Sequence, residues 1–386
     1  MTDRWRALWV LSAARVAMGF QFQAVGSTAP LLREQFGMSL ADIGWLVGIY
    51  LLPGVVLALP GGLLSARFGD RRIAMAGMAL MVAGGALSAF ADSLALMEAG
   101  RLLGGMGGVL FNVTASKMIA DWFASREIEL AMAIFVGTWP LGIGLALLTL
   151  GPIAALSSPS VAFAATAIVA GVSLALIAAF YSPAPAGGAV ARPRLSVLSP
   201  REWGLLGLAG GTWMFYNVAF AVLVSFVPTW LAVRGLPTTQ AGALTAALSL
   251  VLIVSIPASG WLVDRIGHPL TIASIGVLGW CASMAALVDT AHPLLWLAVG
   301  GLLAGTAPGV MVATPVRFLS PAARAVGMGV FYTIFYAGMA VLPRGVGHLA
   351  DVLGSAQWSI PAAIGVALAS VALLWTTHGL IRFWQH

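Results

Sequence analysis

The residues best equipped for chemistry in this chain are three arginines set inside long apolar runs: Arg15, Arg101 and Arg344. Placing a guanidinium in hydrocarbon costs at least ~2.5 kcal/mol on insertion scales, so an arginine there faces a cavity or a partner. Its planar fork binds carboxylate-like or nitrate-like oxygens in pairs. Stepping about 100° per residue along a helix groups Arg15 with Gly19, Phe22, Gln23 and Gly26, and Arg101 with Gly105, Gly108 and Asn112. Arg101 has a second partner open to it, an ion pair with Glu98 three residues earlier on the same face. Arg344 lies near the end of its run, where a long basic side chain snorkels to the interface. Tyr216, Asn217, Tyr332 and Tyr336, with Gln21, Trp139, Trp213, Thr306 and Thr333, supply hydrogen bonds beside apolar surface. That combination suits a cavity that dehydrates a solute, although each residue would serve equally as a hydrogen bond between helices. No carboxylate lies near the middle of an apolar run, so a midplane proton relay is not expected, and buried positive charge favours an anion.

Other chemistries lack their residues. A nucleotide-binding loop ends in Lys-Ser or Lys-Thr, but the sole lysine, Lys117, follows Ser116 and precedes Met118. The histidines His268, His292, His348, His378 and His386 are scattered without metalloprotease spacing, and the single cysteine, Cys281, permits neither an intrachain disulfide nor a cysteine metal cluster. We therefore expect no enzyme activity, no metal and no cofactor.

The elements that must hold these side chains follow from composition. The 386 residues are 60% hydrophobic and only 8% charged, whereas soluble domains carry about 25% charged residues. A soluble enzyme is excluded, and the net charge of +6 is a matter of where charges sit rather than a sign of nucleic-acid binding. Apolar segments of spanning length run over 6–31, 39–65, 73–91, 94–118, 127–153 and 160–181, then over 203–231, 239–263, 270–289, 293–316, 324–347 and 357–380. Their unbroken length marks them as helices rather than barrel strands. Arg4 and Arg6 before the first run imitate a signal peptide, but Arg15 interrupts its apolar region and the run reads as an uncleaved first span.

Between the sixth and seventh segments, Pro183, Pro185, Gly187, Gly188, Pro193 and Pro200 mix with Arg192, Arg194 and Arg201, a linker composition. It separates halves that echo each other. Gly100-Arg101-Leu102-Leu103 before Gly105 answers Gly300-Gly301-Leu302-Leu303 before Gly305, and Leu130 to Phe135 answers Val326 to Phe331. With the amino terminus inside, three of the 19 basic residues fall within spans and only Arg33 and Arg234 fall outside the membrane. The remaining 14 are cytoplasmic, which orients the chain with both termini in the cytoplasm and supports an even number of spans.

Two loops carry a shared spacing. One reads Gly62-Leu63-Leu64-Ser65-Ala66-Arg67-Phe68-Gly69-Asp70-Arg71-Arg72, the other Gly260-Trp261-Leu262-Val263-Asp264-Arg265-Ile266-Gly267-His268. Both resemble the signature loop of the major facilitator superfamily: glycine, three residues, acid, base, one residue, glycine. The second copy is complete and the first has Ala66 where the acid belongs. Arg101 among Gly104, Gly105, Gly107 and Gly108 resembles that family's fourth-helix motif. Gly137, Pro140, Gly142 and Gly144 with Gly151-Pro152 resemble its fifth-helix motif, and close helix packing accounts for most of these glycines. The stretch Gly26 to Leu32 followed by Phe36-Gly37-Met38-Ser39, with Phe331 to Met339, is similar to the cyanate and nitrate permeases. Where cyanate-type members carry an Arg-Pro pair in the first helix, this sequence has Phe22-Gln23, so the basic role falls to Arg15 or the substrate differs.

The resemblance implies an all-α membrane protein of twelve transmembrane helices in two pseudo-symmetric six-helix bundles. The expected bundles cover 1–181 and 202–386, joined by a cytoplasmic linker over 182–201. It also implies a monomeric secondary transporter in a bacterial-type inner membrane. Such a protein works by alternating access, moving a small anion or small polar organic solute, with a proton travelling beside it or through an outer acid such as Glu98. Arg15, Gln23, Asn112, Tyr216, Asn217, Tyr332 and Tyr336 are the expected substrate-binding residues. Glu98, Arg101, Asp264, Arg265, Arg67 and Arg344 are expected in charge or gating roles. Export of neutral or cationic drug-like compounds is the alternative, favoured by 9% aromatic residues and opposed by the missing embedded acid.

Overall fold

The protein is seen in a computed structural model that describes residues 3–123, 127–184, 198–320 and 323–383. Most of the linker, including Arg192 and Arg194, lies outside the described residues, as do Arg126 and His386. Eleven stretches are long and apolar enough to cross a membrane, and each falls on a segment expected from the sequence. The twelfth crossing is α1 (Asp3–Phe36), which carries Arg15, Gln21 and Gln23 along its length. Its polarity is the reason its hydropathy falls short, and 34 residues at 1.5 Å rise give roughly 50 Å, ample for a bilayer.

Among the described residues three spans are broken, two of them at prolines. The second divides into α2 (Leu40–Ile49) and α3 (Gly54–Phe68) around Pro53. After α4 (Asp70–Ala89), α5 (Leu94–Phe123), α6 (Ile128–Leu156), α7 (Pro159–Phe180) and α8 (Pro200–Val233), the eighth span divides into α9 (Thr238–Leu250) and α10 (Leu252–Ile266). Its break comes about a turn and a half ahead of Pro257. Beyond α11 (Pro269–Leu287), the tenth divides into α12 (Pro293–Ala304) and α13 (Pro308–Ala313), breaking just before Pro308. At Pro53 and Pro308 the missing amide donor and the crowding of the preceding turn account for the lapse in the ladder. The last two spans are α14 (Arg324–Val352) and α15 (Ser359–Phe383).

Breaks in the second and eighth spans occupy corresponding places in the two halves, and glycine packing repeats with them. Gly105 of α5 lies directly against the Tyr50 carbonyl at the first break, and Gly305, after α12, lies against Ser255 just past the second. A side chain at either glycine would push the span off its broken neighbour, which is the close approach that small residues permit.

The halves join away from the end that carries the termini. Asp351, at the end of α14, accepts hydrogen bonds from the Leu40 and Ala41 amides at 2.9 and 2.8 Å, so it covers the amino-terminal end of α2. Those amides have no partner within their own helix, and a carboxylate there also meets the positive end of the helix dipole. Gly44, Gly48 and Gly347 bring α2 and α14 into backbone contact along the same seam. Gln23 Nε2 donates to the Val224 carbonyl at 2.7 Å, and Ser249 Oγ to that of Pro140 at 2.8 Å. These contacts run from the far end to the middle of the molecule.

Candidate functional site

Arg15 lies twelve residues into α1, about 18 Å along its axis from the end that carries the termini. Its Nη1 donates to Oδ1 of Asn112 on α5, and its guanidinium lies 4.5 Å from the ring centre of Phe135 on α6. The phenols of Tyr332 and Tyr336, one turn apart on α14, are close enough to act on its charge, and Tyr336 also interacts with the Asn112 side chain. Tyr336 reaches this position because Gly54, at the break in the second span, leaves room for its ring. Arg15, Asn112, Tyr332 and Tyr336, four of the residues expected to bind substrate, thus converge from both bundles. Among the described residues Arg15 has no carboxylate partner, and its Nε is buried without a hydrogen bond.

The other three expected contacts each have one polar group tied to a backbone carbonyl, while the Gln23 Oε1 is buried without a hydrogen bond. Gln23 is fully buried and its amide ties α1 to α8 through Val224. Tyr216 donates its hydroxyl to the Ala304 carbonyl at 2.9 Å, where α12 ends, leaving only its ring to the interior. Asn217 Nδ2 folds back on the Trp213 carbonyl at 2.8 Å. The acceptors differ: the Ala304 carbonyl is freed where α12 ends, and the Val224 carbonyl because Pro228, four residues on, has no amide to donate to it.

On the second bundle the site wall is aromatic. Trp213 stacks on Tyr216 with ring centres 5.7 Å apart and planes 10° from parallel, and lies 6.2 Å from Phe335. Phe335 in turn lies 4.9 Å from Tyr336 and 6.3 Å from Tyr332. Phe135 and Phe335 were not anticipated. Phe335 was legible, since it lies three residues after Tyr332 on the same helix face.

The expected gating residues divide into three groups. Arg101 does not pair with Glu98. Its guanidinium donates to the carbonyls of Leu46, Gln21 and Phe22 at 3.0, 2.7 and 2.9 Å and lies 4.4 Å over the Tyr50 ring. Glu98 instead accepts from Trp45 Nε1 at 2.8 Å, and Arg344 of the other bundle sits 5.2 Å over the Trp45 ring, so Glu98 and Arg344 meet through one indole at the far end. Arg67, Asp264 and Arg265 are exposed, with the arginines over Phe68 and Trp261. In the first signature loop the acid appears four positions later than its usual place. Asp70 binds Lys117 at 2.6 Å and accepts from Ser65, while Lys117 also binds Asp121 at 2.7 Å.

Comparison with known proteins agrees with this architecture. A family model described as Major Facilitator Superfamily matches residues 11–343. The 3-(3-hydroxy-phenyl)propionate transporter of Escherichia coli (strain K12) is 27% identical over 370 residues, covering 92% of this chain and 89% of that protein. A probable nitrate/nitrite antiporter of Thermus thermophilus is 24% identical over 380 residues, covering 91% and 82%. Among solved structures, a bacterial homolog of the human lysosomal transporter Spinster superposes with a TM-score of 0.77 over 98% of this chain and 97% of that one, at 15% identity. That likeness speaks to the fold alone.

Proposed function

Since the chain belongs to the Major Facilitator Superfamily, we propose that it is a secondary transporter that moves a small anion, best matched by an organic carboxylate, by alternating access. The observation that carries this reading is Arg15: a guanidinium at the junction of the two bundles, without a carboxylate partner and with an unused Nε. A buried cation in that state is stabilised by an arriving anion, and the Asn112 amide and two phenols add donors around it. Because Tyr332 and Tyr336 belong to the opposite bundle, a bound anion is held by both halves at once, as alternating access requires. The relatives named for an aromatic acid and for nitrate support the anionic class. We place both termini in the cytoplasm from the distribution of basic residues, so the seam held by Asp351 closes the outer side. A proton would travel with the anion or through Glu98.

The test is thermal unfolding of the purified protein in detergent against nitrate, acetate, aryl carboxylates and lipophilic cations, for wild type and Arg15→Ala. A ligand that binds the folded state raises its apparent stability. Stabilisation by anions that disappears in the variant supports the reading. Stabilisation by lipophilic cations alone, unchanged in the variant, overturns it and favours drug export.

A further inference from the structure

We propose that the site takes a monoanion with a flat apolar body and a hydrogen-bond acceptor at the end remote from its charge, and that Trp213 reads that acceptor. The proposal rests on the anion reading above and deepens it. An inorganic anion would use Arg15 and its neighbours alone. The wall opposite carries more than such an ion needs: Trp213, Phe335, Tyr332 and Tyr336 form a continuous aromatic surface from α8 across α14 to the guanidinium. Rings in contact with one another favour a further flat ring stacked or set edge-on against them.

The far end of that surface has its own orphan. Trp213 Nε1 is buried and has no hydrogen-bond partner among the described residues. Indole N–H is a donor only, and a buried donor is ordinarily paired. Nor is the indole free to turn towards a partner. It is stacked on Tyr216, whose hydroxyl is held by the Ala304 carbonyl and whose ring lies 5.4 Å from Trp280, and it is flanked by Phe335. The N–H is therefore held in a fixed position, as a specificity contact should be. Arg15 Nε and Trp213 Nε1 are two unpaired donors on opposite bundles with rings between them, and a ligand that satisfies both is acceptor at each end and apolar in the middle.

A site built to donate a hydrogen bond rejects the analogue that cannot accept it far more strongly than an apolar pocket rejects a change of size. The experiment is equilibrium binding to the purified full-length protein of acetate, nitrate, and phenylacetate and 3-phenylpropionate bearing either a ring methoxy group or a ring ethyl group. Wild type is compared with Trp213→Phe and Phe335→Leu. Methoxy and ethyl are close in size, but only methoxy accepts. We expect aryl carboxylates to bind at least tenfold more tightly than acetate or nitrate, and at least one methoxy acid to bind about tenfold more tightly than its ethyl partner. In Trp213→Phe that ratio falls to about one while ethyl-acid affinity holds. In Phe335→Leu both acids weaken together and the ratio stays, and this variant keeps the proposal open to test should Trp213→Phe fail to fold. Equal binding of acetate or nitrate and the aryl acids overturns the flat-body proposal while leaving the anion reading standing. A methoxy preference that persists in Trp213→Phe, or is absent from wild type, overturns the role of Trp213. Binding of no anion by folded wild type overturns the anion reading itself.

Discussion

Arg101 and Arg15 are the same residue type, each inside an apolar span, yet the structure uses them in opposite ways. Arg101 is 2% exposed and its fork is filled by three backbone carbonyls from the first and second spans. Those carbonyls belong to rigid helices and cannot be exchanged for a solute without unwinding them. Arg15 has one side-chain amide, one phenylalanine ring and two phenols that belong to the other bundle. Each of its partners can rotate or withdraw, and one of its donors is unused. A structural charge is thus set apart from a binding one by its depth and by its partners: Arg101 is buried among backbone carbonyls, whereas Arg15 is half-buried among side chains.

The largest expected effect tests the structural half of that contrast. Arg101→Ala removes three hydrogen bonds that tie the fourth span to the first and second, and leaves a void in place of a buried guanidinium. Each hydrogen bond to a charged group is worth about 1.5–3 kcal/mol. We expect a fall in the unfolding midpoint of more than 10 °C, or loss of monodisperse protein, with Arg101→Lys recovering only part because an ammonium cannot fill a planar three-way fork. A midpoint unchanged in Arg101→Ala would erase the distinction. Arg15→Met should do the reverse. It removes a buried charge that has no carboxylate partner, so the ligand-free midpoint stays level or rises, while anion-dependent stabilisation and uptake into proteoliposomes fall at least a hundredfold.

Neither role was fully legible in the residues. Both arginines, the twelve spans and the repeated loop spacing show in composition and period, because hydropathy and charge placement are local properties. Pairing is not local. Glu98 and Arg101 are correctly spaced for an ion pair, but the break around Pro53 sets the Leu46 carbonyl at the guanidinium, and Trp45 takes the carboxylate instead. Tyr216 Oη and Gln23 Nε2 are taken up by carbonyls on helices distant in sequence, which no local pattern announces. Asp70, at the start of α4 and past the turn at Gly69, pairs with Lys117 of α5. Asp351 gave no signal, since its partners are backbone amides whose exposure depends on where α2 begins.

A middle-sized effect probes the far-end seam, which must part if the site is to open on the other side. Asp351→Ala removes two hydrogen bonds and the charge at the α2 terminus, a change of about 1.5–3 kcal/mol for a charged acceptor. In a Cys281→Ser background, Ser27→Cys places a thiol at a buried position next to Gly26, which packs on Ser225 across the seam. Modification of that thiol by a membrane-impermeant maleimide should accelerate about tenfold or more when Asp351 is replaced. An unchanged rate would show that the glycine contacts of α2 and α14 hold the seam without the carboxylate.

The smallest effect sharpens the contrast at the site itself. Tyr336→Phe keeps the ring seated against Gly54 and deletes only the hydroxyl that meets Asn112 and the field of Arg15. One neutral hydrogen bond is worth about 1 kcal/mol, so anion affinity should weaken about fivefold with the unfolding midpoint unmoved. Asn112→Ala should weaken it more, because the guanidinium then loses its hydrogen bond to the Asn112 side chain. If instead Tyr336→Phe lowers the midpoint and spares affinity, the phenol belongs with Arg101 among the groups that hold helices together, and Arg15 and Asn112 alone bind the anion.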